Sequence, residues 1–472
     1  MVQTAAHVHH FFTAFVRILL SLLFTLCATE GLAETMRVTT PSKAIMNTSL
    51  TAPYREENQA LNIVNTVIET PFLQPKTQFN NTITFISAHF REKVGFNLAV
   101  FMKEFTINNV TFDKIFNAGW AIFNGKISIF DARFKDSVSF FYCIFAQPEK
   151  FFHIAAEKEA TFQRSIFNAA FELSHSTFLG DTSFYGVHFE HRALFRLDEF
   201  AKGVDFSYAR FDNGVAFLDS IFSGVTNFSN AVFHGKVSFN RSLISGVVDF
   251  SDVTIADGEI DLTQLEKKND QQLIKINLAG AAIDKINFYY TDFELYFPDN
   301  IPATERLLVY KSLLNNFQRR GYTSSYERLY PEYVAYSYQA KGQNFFNIVQ
   351  KYWWNYGVNK ERVFHWVAFF LVLFTLINAL FFSSLLKKYC SVPFLDKAVR
   401  DYSVISNPVT RYIYYLPGAF VFTVILFFGG FLRMGISIKD FTSNNMLVNL
   451  YLMLIISIGT ICILFIFKYL MN

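Results

Sequence analysis

Between Phe79 and Ile255, large apolar residues return every 11 positions in two interleaved registers. The first runs Phe79, Phe90, Phe101, Phe112, Phe123, Phe134, Phe145, Ala156, Phe167, Phe178, Phe189, Phe200, Phe211, Phe222, Phe233, Ile244 and Ile255. The second follows six positions behind, as Phe85, Phe96, Ile107, Ala118, Ile129, Phe140, Phe151, Phe162, Leu173, Phe184, Phe195, Phe206, Phe217, Phe228, Phe239 and Phe250. A small residue stands two positions before most of them, as at Ala88, Val94, Ala209 and Val215. A period held this long means one structural unit stacked on copies of itself.

Eleven residues also fit about three turns of helix. On a helix, though, the offset of six would set the registers roughly 120° apart, as two stripes instead of one buried face. The residues between are mostly Gly, Asn, Ser, Thr and Val, which favour strands and turns. In a strand, residues i and i−2 share a face, so each Phe and its small partner point inward together. By the same alternation Phe206 is predicted inward and Ser207 outward. Gly203, Gly214, Gly224, Gly235 and Gly246 lie in the longer spacing, where an extra residue with positive φ is expected.

The unit (small)-x-Phe-x-x, lengthened by one residue at every second step, resembles the pentapeptide-repeat proteins. That resemblance implies an all-β, right-handed quadrilateral β-helix with Phe and its small partner lining the interior. Four sides make a coil of 22 residues, and the ladder predicts about eight regular coils spaced about 4.8 Å apart. The β-helix is expected over residues 79–298, with irregular closing coils after Phe250. Stacked Phe and apolar burial would drive its folding.

On either side of the ladder the pattern changes. Residues 1–33 read as a signal peptide, with Arg17 before an apolar run at 18–26 and with Gly31 and Ala33 framing a cleavage site. Residues 34–78 are expected to hold a polar, disordered segment and a helical N-terminal cap, because Leu61, Val64 and Ile68 recur at helical spacing. Residues 303–358 read as an amphipathic helical linker, with Leu307, Tyr310, Leu314 and Phe317 on one face. At its end Trp353, Trp354 and Tyr356 suit the headgroup level of a bilayer. Residues 363–470 form a transmembrane region with three apolar segments, each long enough to cross about 30 Å. Pro417, Gly418, Gly429 and Gly430 leave open a broken or re-entrant middle segment. Lys and Arg are balanced across the loops, so the leader decides orientation. It puts the β-helix on the extracytoplasmic, periplasmic side of a bacterial inner membrane.

Tyr310-Lys311, Gly321, Tyr338, Trp353-Trp354-Asn355-Tyr356-Gly357 and Arg362 look like the linker of a membrane-bound pentapeptide-repeat subgroup. In that subgroup the linker leads into a two-helix, potassium-channel-like pore. Where the subgroup carries a filter such as Thr-x-Gly-Tyr-Gly-Asp, this chain has Phe427-Phe428-Gly429-Gly430-Phe431-Leu432, without a carbonyl-filter signature.

Composition narrows the function. The 58 Phe are accounted for by the ladder and the membrane segments. A net charge of +3, with a ladder close to neutral, offers nucleic acid neither a basic face nor an acidic mimic. Cys27, Cys143, Cys390 and Cys462 suggest no disulfide framework or metal cluster, Cys143 being a small inward residue before Phe145. His188 and His191 flank Phe189 and are expected to point outward. His153 and His175, 22 apart, are expected to stack as a solvated ladder with no carboxylate in register. No nucleophile elbow, phosphate loop or zinc-protease helix occurs. We therefore assign no catalytic, cofactor-binding or metal residues, and read the chain as not an enzyme. Polar residues in the membrane segments are few: His365, Asn378, Thr423, Ser457 and Thr460. The resulting expectation is a membrane-anchored β-helix acting as a non-enzymatic scaffold or binding module outside the membrane. Its partners would be the lipid bilayer and a protein, with homo-oligomerisation left open. The alternative is a channel-like or transport-related protein that uses the β-helix as sensor or oligomerising domain.

Overall fold

The computed structural model describes residues 55–266, 273–382, 385, 400–401, 403–432 and 446–471. The leader expected at 1–33 and the polar segment at 34–53 lie outside these residues, as do Cys27 and Cys390.

Strands of two to eight residues pair in parallel at a register of 22, with Ile107 opposite Ile129, Phe101 opposite Phe123 and Phe116 opposite Val138. They fall on four faces. One stacks Thr77–Phe79, Val100–Phe101 and Ile122–Phe123, and the next Leu61–Val64 and Ile83–Ile86. A third begins with Val67–Ile68 and His89–Phe90, and a fourth with Phe72–Leu73 and Val94–Gly95. Phe105–Phe112 and Ile127–Phe134 bend round a corner and serve two faces each. The fourth face is an 11-stranded sheet, so the solenoid is longer than the regular Phe ladder alone.

Burial explains why strands this short persist. Every residue of both registers is buried, and Ala88, Val94, Ala209 and Val215 are buried beside them. Coil spacing sets ring spacing: Phe101, Phe123, Phe145 and Phe167 stack at 4.6, 5.0 and 4.4 Å, each nearly parallel to the next. In the other register Phe184, Phe206, Phe228 and Phe250 stack at 5.0, 5.1 and 5.2 Å. Ser207 departs from expectation. It is buried at 4% exposure, with its hydroxyl donating to Asp205 Oδ1 at 2.6 Å.

The expected N-terminal helical cap is instead the first coil. Arg55–Glu57, Leu61–Val64, Val67–Ile68 and Phe72–Leu73 are strands. Leu61, Ile63, Ile68 and Phe72 pair with Ile83, Phe85, Phe90 and Val94 one coil on. The period therefore continues upstream, where aliphatic residues replace most of the Phe. Val64, counted in the helical spacing, is 44% exposed.

The turns depart from the glycine expectation as well. Gly203, Gly214 and Gly235 take positive φ, but Gly224 and Gly246 are not among the positive-φ glycines. At Gly224 a Cβ would lie 1.5 Å from the carbonyl oxygen of Lys202, so a close approach of coils excludes any side chain. The recurrent left-handed residue sits in the shorter spacing and is seldom Gly. One corner carries Asn109, Asp131, His153, His175 and Leu197 with φ of 50–57°, and another carries Leu98, Trp120, Tyr142, Arg164 and Tyr208 with φ of 55–64°. At the second corner the turn closes through bonds such as Ala99 N–H to Phe96 O at 3.0 Å and Ala209 N–H to Phe206 O at 3.0 Å. Apolar burial on both flanks holds L-residues in a conformation they avoid when isolated.

Beyond Ile255 the closing coils are irregular as expected, with single 3₁₀ turns at Ile283–Lys285 and Tyr290–Asp292. Two helices then cover the last coil: α1 (Ala303–Arg320) and α2 (Thr323–Ala340). They do more than link. α1 buries Val309, Leu313 and Phe317 in the solenoid core, and the buried Asn316 donates to the carbonyls of Ile283 (3.0 Å) and Ile286 (3.2 Å). In α2, Ser325 Oγ accepts from Tyr290 N–H at 3.0 Å, and Glu332 accepts from the Tyr290 hydroxyl at 2.6 Å. Exposed interior and unpaired strand groups at a solenoid end invite association, and this cap removes them.

A short helix, α3 (Asn344–Trp354), precedes α4 (Arg362–Leu380), α5 (Pro408–Leu432) and α6 (Met446–Met471). The last three are each long and apolar enough to cross a membrane. α5 runs as one helix through Pro417. Phe374, Tyr415, Phe422, Leu452 and Ile455 form the core of this bundle. Gly459 lies so close to α5 that a Cβ would meet the Phe427 carbonyl oxygen at 1.9 Å, the kind of approach small residues permit between membrane helices.

Candidate interaction surface

Beside several buried Ser and Thr, the solenoid interior holds the titratable groups of Glu149, Asp198 and Cys143. Glu149 pairs with Phe171 in the next coil, in a column where apolar residues otherwise stand. Its Oε2 accepts from Ile127 N–H at 2.8 Å, Oε1 has no partner, and burial pushes the carboxyl up to about 8. Asp198 belongs to a polar column, accepting from Ser176 N–H at 2.9 Å and Arg196 N–H at 3.0 Å, and burial pushes it up to about 8 too. Cys143 is buried as expected, its thiol donating to Ala118 O at 3.0 Å, and burial raises its pKa, which keeps it unreactive. These groups are closed off from solvent and suited to specifying coil register.

The outer corners offer more. On the second left-handed row the Trp120 and Tyr142 rings stack at 4.2 Å, 2° from parallel. Arg164 donates to the Tyr142 hydroxyl at 2.8 Å, and its guanidinium lies over the Tyr142 and Tyr185 rings, 5.6 Å from each centroid. Tyr208 continues the row against Tyr185 at 5.5 Å. Trp120 and Tyr208 are 36% and 39% exposed. Positive φ turns each side chain outward at the corner, and the 22-residue step aligns them. An ordered ridge of Trp, Tyr and Arg matches the composition of protein-binding hot spots. The sequence signal was available: Trp120, Tyr142, Arg164 and Tyr208 all lie on one 22-residue step, but outside the apolar registers.

His153, His175 and His188 are partnered across coils, and His191 is exposed as expected. His153, expected to lie in a ladder free of carboxylates, pairs through Nδ1 with Asp131 Oδ1 at 2.5 Å, one coil earlier and in register. His175 packs against the Phe152 ring at 5.0 Å. His188 is half-buried, with Nε2 2.7 Å from Asp212 Oδ2. Other coils are tied similarly: Arg241 makes a two-pronged contact with Asp219 at 2.6 and 2.8 Å, which lowers the Asp219 pKa. Lys135 and His89 both reach Asp113 at 2.8 Å, and Lys135 chiefly holds that carboxyl below its ordinary range. Among the described residues no group of three or more His, Cys, Asp or Glu is arranged to hold a metal.

In the bundle of apolar helices, polar residues from all three helices meet. Asn378 of α4 donates to Thr423 Oγ1 of α5 at 2.9 Å and accepts from the Tyr451 hydroxyl of α6 at 2.9 Å. Asn378 and Thr423 are fully buried. Thr423 in turn donates to Ala419 O at 2.7 Å. Ser457 and Thr460 are exposed, and Thr460 donates to Ile456 O of its own helix at 2.8 Å.

Residues 206–254 match the family described as Pentapeptide repeats (9 copies). They are a stretch of the solenoid in which both apolar registers run without interruption up to Ile244. No curated protein and no solved structure matches the chain.

Proposed function

Starting from a pentapeptide-repeat β-helix that leads into three apolar helices, we propose a membrane-anchored, non-enzymatic scaffold. Its solenoid lies outside the membrane and presents the Trp120–Tyr142–Arg164–Tyr208 ridge to a protein partner. The observation that carries this reading is the clamp of Asn378, Thr423 and Tyr451. A pore turns polar groups toward a water path. Here one polar residue from each apolar helix is spent on holding the other two. Thr460, which would line such a path, bonds back to its own helix. The extracytoplasmic placement rests on the leader expected at residues 1–33.

Sidedness is tested by placing a cysteine at Leu179, a solenoid position 49% exposed, while Cys143 and Cys462 are buried. With Cys27 and Cys390 changed to Ser, a membrane-impermeant maleimide is expected to label Leu179→Cys in right-side-out vesicles and not in sealed inside-out vesicles. Labelling confined to inside-out vesicles would place the scaffold in the cytoplasm and overturn that part of the proposal.

A further inference from the structure

The short helix α3 is amphipathic in an unusual place. Phe345, Ile348, Val349 and Tyr352 recur at helical spacing and are 72, 57, 40 and 62% exposed. Such a stripe on a soluble surface is a liability unless something covers it. The next residue round, Trp353, is turned into the protein: it stacks on Trp366 at 6.0 Å and packs on Phe465 at 5.8 Å. Trp366 lies in the first turns of α4 and Phe465 close to the end of α6, so α3 sits at one end of the apolar bundle. The surface beside it, with Phe369, Ile461 and Leu464 52, 46 and 61% exposed, is the outer face of the apolar helices. The stripe continues that face.

The joint between α3 and α4 is held by specific bonds. Asn355, Tyr356 and Gly357 are consecutively left-handed, with φ of 51, 56 and 91°. L-residues adopt that region singly and seldom in runs, so the surroundings must hold it. They do: the Tyr356 hydroxyl donates to Asn347 Oδ1 at 2.6 Å, and Trp366 Nε1–H donates to Tyr352 O at 3.1 Å. The first of these uses the polar side of α3, leaving the apolar stripe outward. Lys351, Lys360 and Arg362, against the one carboxylate of Glu361, give α3 and its joint to α4 a net positive charge.

We propose that α3 lies in the plane of the membrane interface, its Phe345–Ile348–Val349–Tyr352 stripe sunk in the acyl boundary of the leaflet around the start of α4. The occupant is lipid, because the stripe is continuous with the outer face of the apolar helices and flanked by cations that suit headgroup phosphates. Eleven residues span roughly 16 Å, too short to cross a bilayer and suited to lying on one. The solenoid is held to this platform through its cap, since α2 packs on α3 and bonds the last coil. The inference rests on reading α4, α5 and α6 as membrane-spanning.

The test uses the full chain, with Cys27 and Cys390 changed to Ser, in phosphatidylcholine–phosphatidylglycerol liposomes. Single nitroxide labels are placed by Ile348→Cys and Tyr352→Cys on the stripe, Lys351→Cys on the polar side, and Leu464→Cys on α6. Collision rates with oxygen, which partitions into lipid, and with a nickel chelate, which stays in water, are compared. The stripe labels should share the oxygen preference of Leu464, several-fold above Lys351, at a depth of roughly 5–10 Å. Nickel access equal to that of Lys351 would overturn the proposal, as would stripe labels reached by neither reagent, which would mean a protein covers them. With oxygen preference kept at Leu464, either failure leaves the anchor standing. Loss at Leu464 too would overturn the membrane reading itself.

Discussion

Phe206 is the place to test what holds the solenoid together. Its ring is fully buried, stacked on Phe184 at 5.0 Å and Phe228 at 5.1 Å and edge-on to Phe195 and Phe217 at 5.4 and 5.5 Å. Phe206→Ala leaves a hole the size of a ring. The backbone cannot close over it, because Phe206 N–H is bonded to Asn227 O at 2.7 Å and Phe184 N–H to Asp205 O at 2.7 Å. A site that cannot collapse takes a cost near the top of the range of about 3–5 kcal/mol for such truncations. The control is Ser207→Ala next door. It loses one hydroxyl bond to Asp205, but Asp205 keeps the Ser207 amide at 2.9 Å and Asn227 Nδ2 at 3.1 Å, so the loss should be about 1 kcal/mol. In a stack where each coil touches only its neighbours, the damage should be local. Hydrogen exchange on the full chain in nanodiscs should show protection falling by roughly two to four orders of magnitude in the coils around Phe206. Coils around Phe123 should be far less affected. Equal losses for the two variants, or losses spread evenly along the stack, would refute this account of the core.

The buried carboxyls predict an inverted pH dependence. Glu149 and Asp198 rise from ordinary values of 4.5 and 3.8 to about 8 on folding. Below both ordinary values the two states are equally protonated. As pH rises towards 8 the unfolded chain releases protons that the folded chain keeps, so stability falls, by about 1.4 kcal/mol per pH unit for each carboxyl. Glu149→Gln with Asp198→Asn should flatten that fall in thermal melts of the full chain between about pH 5 and 8; an unchanged slope would refute it. Asn378→Leu removes the centre of the helix clamp and should cost about 0.5–2 kcal/mol in the bundle, without lowering the solenoid's melting transition. A shift of the solenoid transition alone would contradict this assignment.

How much was legible follows from where each residue's role was decided. The Phe registers could be read directly, because one period governs the whole core and every member is buried. The first coil is hidden because Ile63 and Ile68 stand where the next coil has Phe85 and Phe90, while Leu61, Val64 and Ile68 happen to fit a helical spacing. Left-handed corners at Leu98, Trp120 and Tyr142 were invisible to turn rules, which look for Gly, Asn and Asp, since burial of the flanking Phe overrides local preference. The outer ridge and the Asp131–His153 pair also follow the 22-residue step, but at positions outside the apolar registers that define the core. Asn378 and Thr423 were singled out as polar residues in apolar segments. Their joining through Tyr451 depends on how three helices pack, which no single segment encodes.

The central claim is that the apolar helices anchor the solenoid and do not conduct. The most direct measurement is potassium, sodium and chloride flux through liposomes containing the purified full chain, with and without a membrane potential. It is repeated for Gly429→Leu/Gly430→Leu, which would narrow any opening where the subgroup carries its filter. The account predicts no flux above empty liposomes for either protein. A reproducible single-channel conductance in the unaltered chain, abolished by the glycine substitutions, would contradict it.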